Sequence, residues 1–147
     1  MVMKKRILFI CKHNLFRSQV AESFFKKMNK NKEYIEDGAG IIKWNKKDLV
    51  GDKTYEIEKR VAKRFGIKLG KKSKPLSSSL LKSTNILVIV ADDVPGSIFR
   101  DEKIFRGKVI VWKTKDVKAH HKNKEKVATE TIKFIENKVK GLVRELK

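Results

Sequence analysis

The chain has 147 residues, of which 40% are hydrophobic, and a formal net charge of +20 from 37 basic and 17 acidic residues. This length predicts one domain with its own core, the composition excludes a disordered chain, and no apolar run is long enough to span a membrane. A single cysteine excludes an internal disulfide framework, and the basic N-terminus is followed by too few apolar residues for a signal peptide, so we expect a cytoplasmic protein.

The N-terminal half of the chain predicts two strands and two helices. Residues 6–10 predict a buried strand, because the four residues after Arg6 are apolar and include β-branched side chains. Apolar residues then recur at helical spacing and predict a helix that lays one face on a sheet, at Val20, Ala21, Phe24, Phe25 and Met28. Residues 34–39 predict a second strand. Residues 52–65 predict another amphipathic helix, which Gly66 would end.

The C-terminal half repeats this alternation. Residues 77–82 predict a short helix, and residues 85–91 predict a strand that is apolar on both faces, as in a covered parallel sheet. A short helix over residues 94–99 and a fourth strand over 108–112 follow. The last helix is predicted over residues 123–146, where apolar residues keep alternating steps of four and three.

Strands that alternate with helices predict an α/β fold: a single domain with a four-stranded parallel sheet, helices on both faces and strand order 2-1-3-4. In such sheets a ligand binds beyond the carboxyl ends of the strands. Cys11 follows the first predicted strand, residues 38–40 the second, Asp92 the third and Asp116 the fourth. The pattern therefore predicts one site that collects these residues.

The only cysteine of the chain stands where the first strand gives way to a helix. Five residues separate Cys11 from Arg17, and Ser18 follows. A loop that opens a helix directs backbone N–H groups at an anion, and the same groups stabilise a thiolate. An arginine can hold a phosphate through two parallel hydrogen bonds. The stretch thus predicts a thiolate nucleophile facing a bound phosphoryl group, and a buried, inert cysteine is the simpler alternative.

The motif Cys-x5-Arg-Ser directly after a first strand, followed by Gln19-Val20-Ala21-Glu22, resembles the low-molecular-weight protein tyrosine phosphatases and their arsenate reductase relatives. Residues 37–40, Asp-Gly-Ala-Gly, loosely match the Ser-Ala-Gly of that family. The resemblance implies a low-molecular-weight phosphatase-like domain over residues 1–147. It also implies hydrolysis of phosphate monoesters, in particular protein phosphotyrosine, through a phosphocysteine intermediate.

Residue type and resemblance assign the same roles within the motif. Cys11 would attack phosphorus, while Arg17 and the N–H groups of residues 12–17 would hold the equatorial oxygens. Ser18 would donate its hydroxyl to the thiolate, and Asn14 would hold the loop open in a left-handed conformation. The expected substrate- and phosphate-binding residues are Lys12, His13, Asn14, Leu15, Phe16, Ser18 and Trp44.

The proton donor is predicted by position. The family places an Asp-Pro pair after its last strand, and here Asp116 is followed by Val117. Asp116 is therefore the expected general acid, although an ordinary surface aspartate is the alternative. Asp92 and Asp93 are the other candidates, and we expect Asp92 to orient neighbouring groups.

Several positions depart from the family's pattern. His13 and Phe16 stand where the phosphatases often have glycine and a second cysteine, and Lys118 and Ala119 stand at the family's aromatic positions after Asp-Pro. The preference for phosphotyrosine is therefore left open. Trp44 stands where many of these phosphatases place an aromatic beside the substrate ring, and a packing role is its alternative. The two adjacent histidines at residues 120–121 have no third metal ligand at a suitable spacing, so we expect no metal ion. We expect no cofactor either.

The basic charge permits two interpretations. It could indicate nucleic-acid binding, but the lysines are scattered along the chain and no recognition motif accompanies them. A solvated lysine-rich surface is the simpler interpretation, so we expect neither a specific nucleic acid nor a membrane as partner. The positive field would help attract a phosphorylated protein or a small phosphate monoester.

Other functions remain compatible with the motif. Arsenate reduction is one, although the thioredoxin-coupled reductases need two more cysteines, so an external thiol would be required here. A phosphoarginine-directed phosphatase is a close variant. A non-catalytic module that binds anions or nucleic acid is the third possibility. The sequence leaves the oligomeric state open.

Overall fold

Four parallel strands form the centre of the protein. The computed structural model describes residues 4–42, 53–118 and 120–146. The sheet has the order β2-β1-β3-β4, and every neighbouring pair is parallel, which confirms the predicted fold class and strand order. The strands are β1 (Lys5–Cys11), β2 (Tyr34–Gly40), β3 (Ile86–Val90) and β4 (Lys108–Trp112).

Helices connect the strands and cover the sheet. They are α1 (Arg17–Met28), α2 (Thr54–Arg64), α3 (Ser78–Lys82) and α4 (Lys124–Glu145), with a 3₁₀ helix at Gly96–Arg100 between β3 and β4. The sequence predicts each of them to within two residues at most ends. Pro95 precedes the 3₁₀ helix in an extended conformation, so the segment beginning at residue 94 starts its helical turn later than the pattern indicates.

Alternate residues of β1 serve two cores, as the pleat of a strand requires. Ile7 and Phe9 belong to the larger core, to which α1, α2 and α4 contribute. Leu8 and Ile10 belong to a smaller core that includes residues of α3 and the 3₁₀ helix. All four side chains are fully buried, which explains why β1 is continuously apolar from Ile7 onward.

Gly66 ends α2 as predicted. It has a φ of 75°, and its N–H donates to the Lys63 carbonyl at 3.0 Å. The N–H of Ile67 reaches the Ala62 carbonyl at 3.0 Å, which completes a Schellman motif. The turn brings Ile67 into the larger core.

The order of the strands brings four chain segments to one edge. β1 and β3 lie side by side at the centre, and the carboxyl ends of all four strands point the same way. Cys11 pairs with Gly40, and Val90 pairs with Trp112. The segments that leave these ends therefore meet above the centre of the sheet. Within the residues that the structure describes, no helix is long and apolar enough to cross a membrane.

Candidate active site

A tight loop joins β1 to α1. β1 ends at Cys11 and α1 begins at Arg17, so the predicted motif spans the turn between them. Within the described chain, Asn14 is the only residue other than glycine with a positive φ, at 56°. Asparagine tolerates this left-handed conformation better than most residues, and the conformation turns the backbone around the cysteine sulfur.

The cysteine sulfur lies at the bottom of this loop within hydrogen-bonding distance of two groups. The backbone N–H of Asn14 donates to Cys11 Sγ at 3.2 Å. Ser18 Oγ lies 3.1 Å from the same sulfur and accepts a hydrogen bond from Asn14 Nδ2 at 2.6 Å. Because the Asn14 amide occupies a lone pair of the Ser18 oxygen, the Ser18 proton is free to point at a thiolate.

The backbone of the loop carries spare donors. Among the residues that the structure describes, the N–H groups of Lys12, His13, Leu15 and Phe16 donate no hydrogen bond to another residue. Backbone N–H groups in folded proteins nearly always have a partner. Several N–H groups without a protein acceptor on one turn, at the start of a helix, are suited to bind a tetrahedral oxyanion.

A segment distant in sequence supports the loop from behind. Ser73 Oγ donates to the His13 carbonyl at 2.6 Å, and the N–H of Lys74 donates to Asn14 Oδ1 at 3.1 Å. Gln19 Nε2 joins the two parts, since it donates to the Asn14 carbonyl at 2.7 Å and to the Lys71 carbonyl at 2.8 Å. The sequence gives no sign of these contacts, because most use main-chain groups that any residue could supply.

Gly40 is required by the close approach of β2 to the loop. A Cβ atom at this position would lie 2.7 Å from the His13 carbonyl carbon and 2.8 Å from the Asn14 nitrogen. We expect Gly40→Ala to lower the free energy of unfolding by about 1–3 kcal/mol and to reduce turnover by displacing the loop. Urea denaturation and steady-state kinetics would measure the two effects.

Gly141→Ala is the matched control for this substitution. Gly141 lies in α4, and a Cβ atom there would meet no atom within 4 Å. That variant should gain up to about 1 kcal/mol of stability and keep its activity. Wild-type stability and activity in Gly40→Ala would contradict the steric role assigned to this glycine.

Arg17 is buried beside the loop and is surrounded by acceptors. Its side chain is 2% exposed. Nη1 donates to the Thr114 carbonyl at 2.9 Å, and Nη2 donates to Asp93 Oδ1 at 3.0 Å. Burial alone would lower the pKa of Arg17, but the carboxylates of Asp116 and Asp93 and the sulfur of Cys11 raise it above its ordinary value. The guanidinium is therefore permanently protonated, and it interacts electrostatically with the Cys11 sulfur.

Three aspartates from two loops converge on this guanidinium. Asp92 Oδ1 is 3.5 Å from Arg17 Nη1, and Asp116 Oδ2 is 3.7 Å from Nη2, so both lie farther away than Asp93. The sequence predicts Asp92 as the orienting carboxylate. The structure adds Asp93, which makes the shorter contact. The signal was present in the sequence, because both residues directly follow β3.

Asp116 lies near the loop on the segment that follows β4. Its Oδ1 accepts a hydrogen bond from the Val117 N–H at 2.9 Å, and its side chain is 31% exposed. Val117, at the place of the family's proline, is buried in the larger core and anchors the segment there.

Burial lowers the pKa of His13 in spite of the opposing charge of Asp116, so this imidazole is neutral at pH 7.

The remaining predicted site residues divide into three groups. Lys12, His13 and Leu15 are partly buried along the loop. Phe16 is buried and packs in the larger core, so only its main chain faces the loop. Trp44 lies outside the described residues. Of the two adjacent histidines, His121 makes a local contact: its Nδ1 accepts a hydrogen bond from the Lys118 N–H at 2.8 Å.

Known structures with this architecture include an arsenate reductase and several phosphatases. The arsenate reductase of Archaeoglobus fulgidus is 25% identical, with a TM-score of 0.64 over 93% of this chain and 98% of its own. The low molecular weight protein tyrosine phosphatase of T. tengcongensis is 18% identical, with a TM-score of 0.72 over 97% and 99%. The Erwinia amylovora tyrosine phosphatase AmsI is 18% identical, with a TM-score of 0.73 over 97% and 93%.

The family assignment rests on the sequence over nearly its full length. No curated protein matches the chain significantly. In contrast, the profile described as "Low molecular weight phosphotyrosine protein phosphatase" matches residues 6–147. That span includes the loop, the three aspartates, β2 to β4 and all of β1 except Lys5. The chain therefore belongs to the low molecular weight phosphotyrosine protein phosphatase family.

Proposed function

We propose that the protein hydrolyses phosphate monoesters, with protein phosphotyrosine among its substrates, through a phosphocysteine intermediate. The observation that carries the proposal is the loop between Cys11 and Arg17. It combines a sulfur held by Asn14 and Ser18, spare N–H donors and a buried guanidinium. Membership of a phosphatase family supports the same reaction class.

In the first step, the Cys11 thiolate attacks phosphorus, and the bond from phosphorus to the ester oxygen breaks. The spare N–H groups of the loop and Arg17 hold the three equatorial oxygens, where charge is spread in the transition state. The departing oxygen takes a proton from Asp116 and leaves as a neutral alcohol or phenol. Asp116 is left as a carboxylate beside Arg17.

In the second step, water attacks phosphorus and the sulfur–phosphorus bond breaks. The Asp116 carboxylate takes the proton from the water, which restores the acid for the next turnover. The sulfur departs as a thiolate, and the Ser18 hydroxyl and the Asn14 N–H stabilise that charge. Inorganic phosphate then leaves the loop.

A partition experiment tests for the covalent intermediate. Phenyl phosphate and 4-nitrophenyl phosphate would be hydrolysed in the presence of glycerol, and inorganic phosphate and glycerol phosphate would be measured. Both substrates pass through the same phosphocysteine, so the ratio of the two products should be the same for both. A ratio that depends on the leaving group would overturn the intermediate.

Replacing Asp116 by asparagine tests the general acid. Asparagine cannot supply a proton, so we expect hydrolysis of phenyl phosphate, with its poor leaving group, to slow by about a hundredfold. The loss should be much smaller for 4-nitrophenyl phosphate, because its leaving group departs without protonation. Pre-steady-state phenol release would measure this first step.

Asp101→Asn is the matched control for Asp116→Asn. Asp101 caps the end of the 3₁₀ helix and has no contact with Arg17 among the described residues. That variant should keep wild-type sensitivity to the leaving group. If the first step, measured as release of the phenol, slowed equally for both substrates in Asp116→Asn, the role of Asp116 as general acid would be contradicted.

Arsenate reduction is a second candidate, favoured by the likeness to the Archaeoglobus fulgidus enzyme. Cys11 would attack arsenic with loss of water, and an external thiol would attack the Cys11 sulfur and release arsenite. A second external thiol would then reduce the mixed disulfide, since the chain has one cysteine. Arsenate-dependent oxidation of glutathione would support this reaction, and its absence would exclude it.

A further inference from the structure

One carboxylate joins the phosphate-binding arginine to a lysine on the rim. Asp93 Oδ1 lies 3.0 Å from Arg17 Nη2, and Asp93 Oδ2 lies 3.8 Å from Lys118 Nζ. The two cations thus lie beside different oxygens of the same carboxylate. The Lys118 side chain is 45% exposed, whereas that of Arg17 is 2% exposed. The first faces solvent, and the second faces the loop.

Lys118 is held near the site from both ends. Its backbone N–H donates to His121 Nδ1 at 2.8 Å, and its Nζ is near Asp93. Burial by itself would raise the pKa of Asp93, but the charges of Arg17 and Lys118 together lower it. Asp93 is therefore ionised at neutral pH, and its shorter contact is to Arg17. Lys118, at the longer distance and in solvent, keeps donors available for another anion.

A second lysine borders the loop on the side of β2. The Lys12 carbonyl accepts a hydrogen bond from the Ile42 N–H at 2.9 Å. Within residues 4–42, 53–118 and 120–146, the Lys12 side chain has no ion-pair partner. Both rim lysines stand on a chain with a formal charge of +20. Lys12 and Lys118 thus place two cations beside the loop that can interact with a second anionic group of a substrate.

We propose that the site prefers phosphate monoesters that carry a second negative charge beside the reacting phosphate, and that Lys118 binds this charge. The inference rests on the proposed phosphatase function and specifies its substrate class. The second anion is a carboxylate or another phosphate on the leaving group. It contacts Lys118 while Arg17 and the loop hold the reacting phosphate.

The test compares two substrates that differ in charge. These are 3-carboxyphenyl phosphate and its neutral carboxamide analogue, and the measured quantity is the ratio of their kcat/KM values. Comparing this ratio between variants removes the intrinsic reactivity of the two leaving groups. We expect Lys118→Gln to lower the ratio by about two- to fivefold, the range of a solvent-exposed ion pair. Lys118→Glu should lower it further, and high salt should weaken the preference in the wild type.

Lys108→Gln is the matched control, because it removes one charge at the opposite end of β4. It should leave the ratio at the wild-type value. An unchanged ratio in Lys118→Gln would overturn the proposal. So would an equal change in Lys108→Gln, which would indicate only the overall field of the protein.

A binding measurement separates this inference from the proposed function. The dissociation constants of 3-carboxybenzylphosphonate and its carboxamide analogue can be compared by calorimetry without turnover. If neither phosphate ester is hydrolysed but Lys118→Gln changes the binding ratio, the hydrolytic function fails and the anion site stands. If the esters are hydrolysed and neither ratio changes, the inference fails and the hydrolytic function stands.

Phosphotyrosine peptides with glutamate or glutamine next to the phosphorylated residue identify the source of the second charge. A Lys118-dependent preference for the glutamate peptide would indicate an acidic protein segment. A preference confined to the small esters would indicate a small molecule with two anionic groups.

Discussion

Cys11→Ser is expected to lower the turnover of 4-nitrophenyl phosphate at least about 10⁴-fold, the loss typical of removing a covalent nucleophile. A serine hydroxyl at this position would have to lose its proton before attack, and no described side chain lies in contact with Cys11 Sγ as a base. The N–H groups and Arg17 remain in the variant, so it should still bind inorganic phosphate. Steady-state kinetics and calorimetry would measure the two properties.

Cys11→Ser is a conservative change in size, so a loss of turnover can be attributed to the loss of the thiol. Cys11 belongs to the smaller core, and serine differs little from cysteine in volume, so the fold should be retained. Ser79→Ala, on the exposed surface of α3, is a control for the effects of expression and purification on activity, and it should keep wild-type activity. Turnover unchanged by Cys11→Ser would exclude the phosphocysteine mechanism.

Arg17→Lys is expected to lower kcat by a factor of about 10²–10³, as the loss of an oxyanion-hole donor does in other enzymes. Lysine keeps the positive charge but offers a single nitrogen instead of a planar fork, so it cannot serve Thr114, Asp93 and a phosphate together. The variant should also lose stability, because the buried acceptors around Arg17 would lack partners. Kinetics and urea denaturation would separate the two losses.

Arg60→Lys is the control for this exchange. The Arg60 side chain is 59% exposed and forms a long ion pair with Glu125, so its exchange should change stability by less than about 0.5 kcal/mol. Activity should stay at the wild-type level. If Arg17→Lys also behaved in this way, the guanidinium would not be part of the phosphate site.

The fold could be predicted from the sequence because the two central strands, β1 and β3, carry apolar residues on both faces. A strand such as β1 buries Ile7 and Leu8 on opposite sides, and continuous apolar runs of this kind fit a covered parallel sheet. The motif from Cys11 to Ser18 could be predicted for a similar reason. Its cysteine, backbone donors and arginine are local in sequence, so the spacing of these residue types indicates the loop, whereas its exact shape also depends on distant residues.

The carboxylates around Arg17 could be predicted only in part. Asp92 and Asp93 both follow β3, and a pattern of residue types cannot decide which of two neighbours reaches a guanidinium. The ranking depends on the path of the backbone after the strand. For Asp116, the position after β4 was sufficient, and the burial of Val117 shows how the segment is anchored without proline.

The support behind the loop could not be predicted at all. Ser73 and Lys74 contact His13 and Asn14 across 60 positions of sequence. Their partners include main-chain atoms, which carry no sequence signature. Long-range contacts of this kind follow from the fold and become visible only once the topology is known.

This support has a consequence for protein engineering. The eight residues from Cys11 to Ser18 contain the atoms to which we assign the proposed reaction, but the geometry of Asn14 depends on Lys74 and on the absence of a side chain at Gly40. Grafting the short peptide onto an unrelated scaffold would transfer its chemistry without its shape. A successful transplant would have to carry the returning segment and the neighbouring strand as one unit.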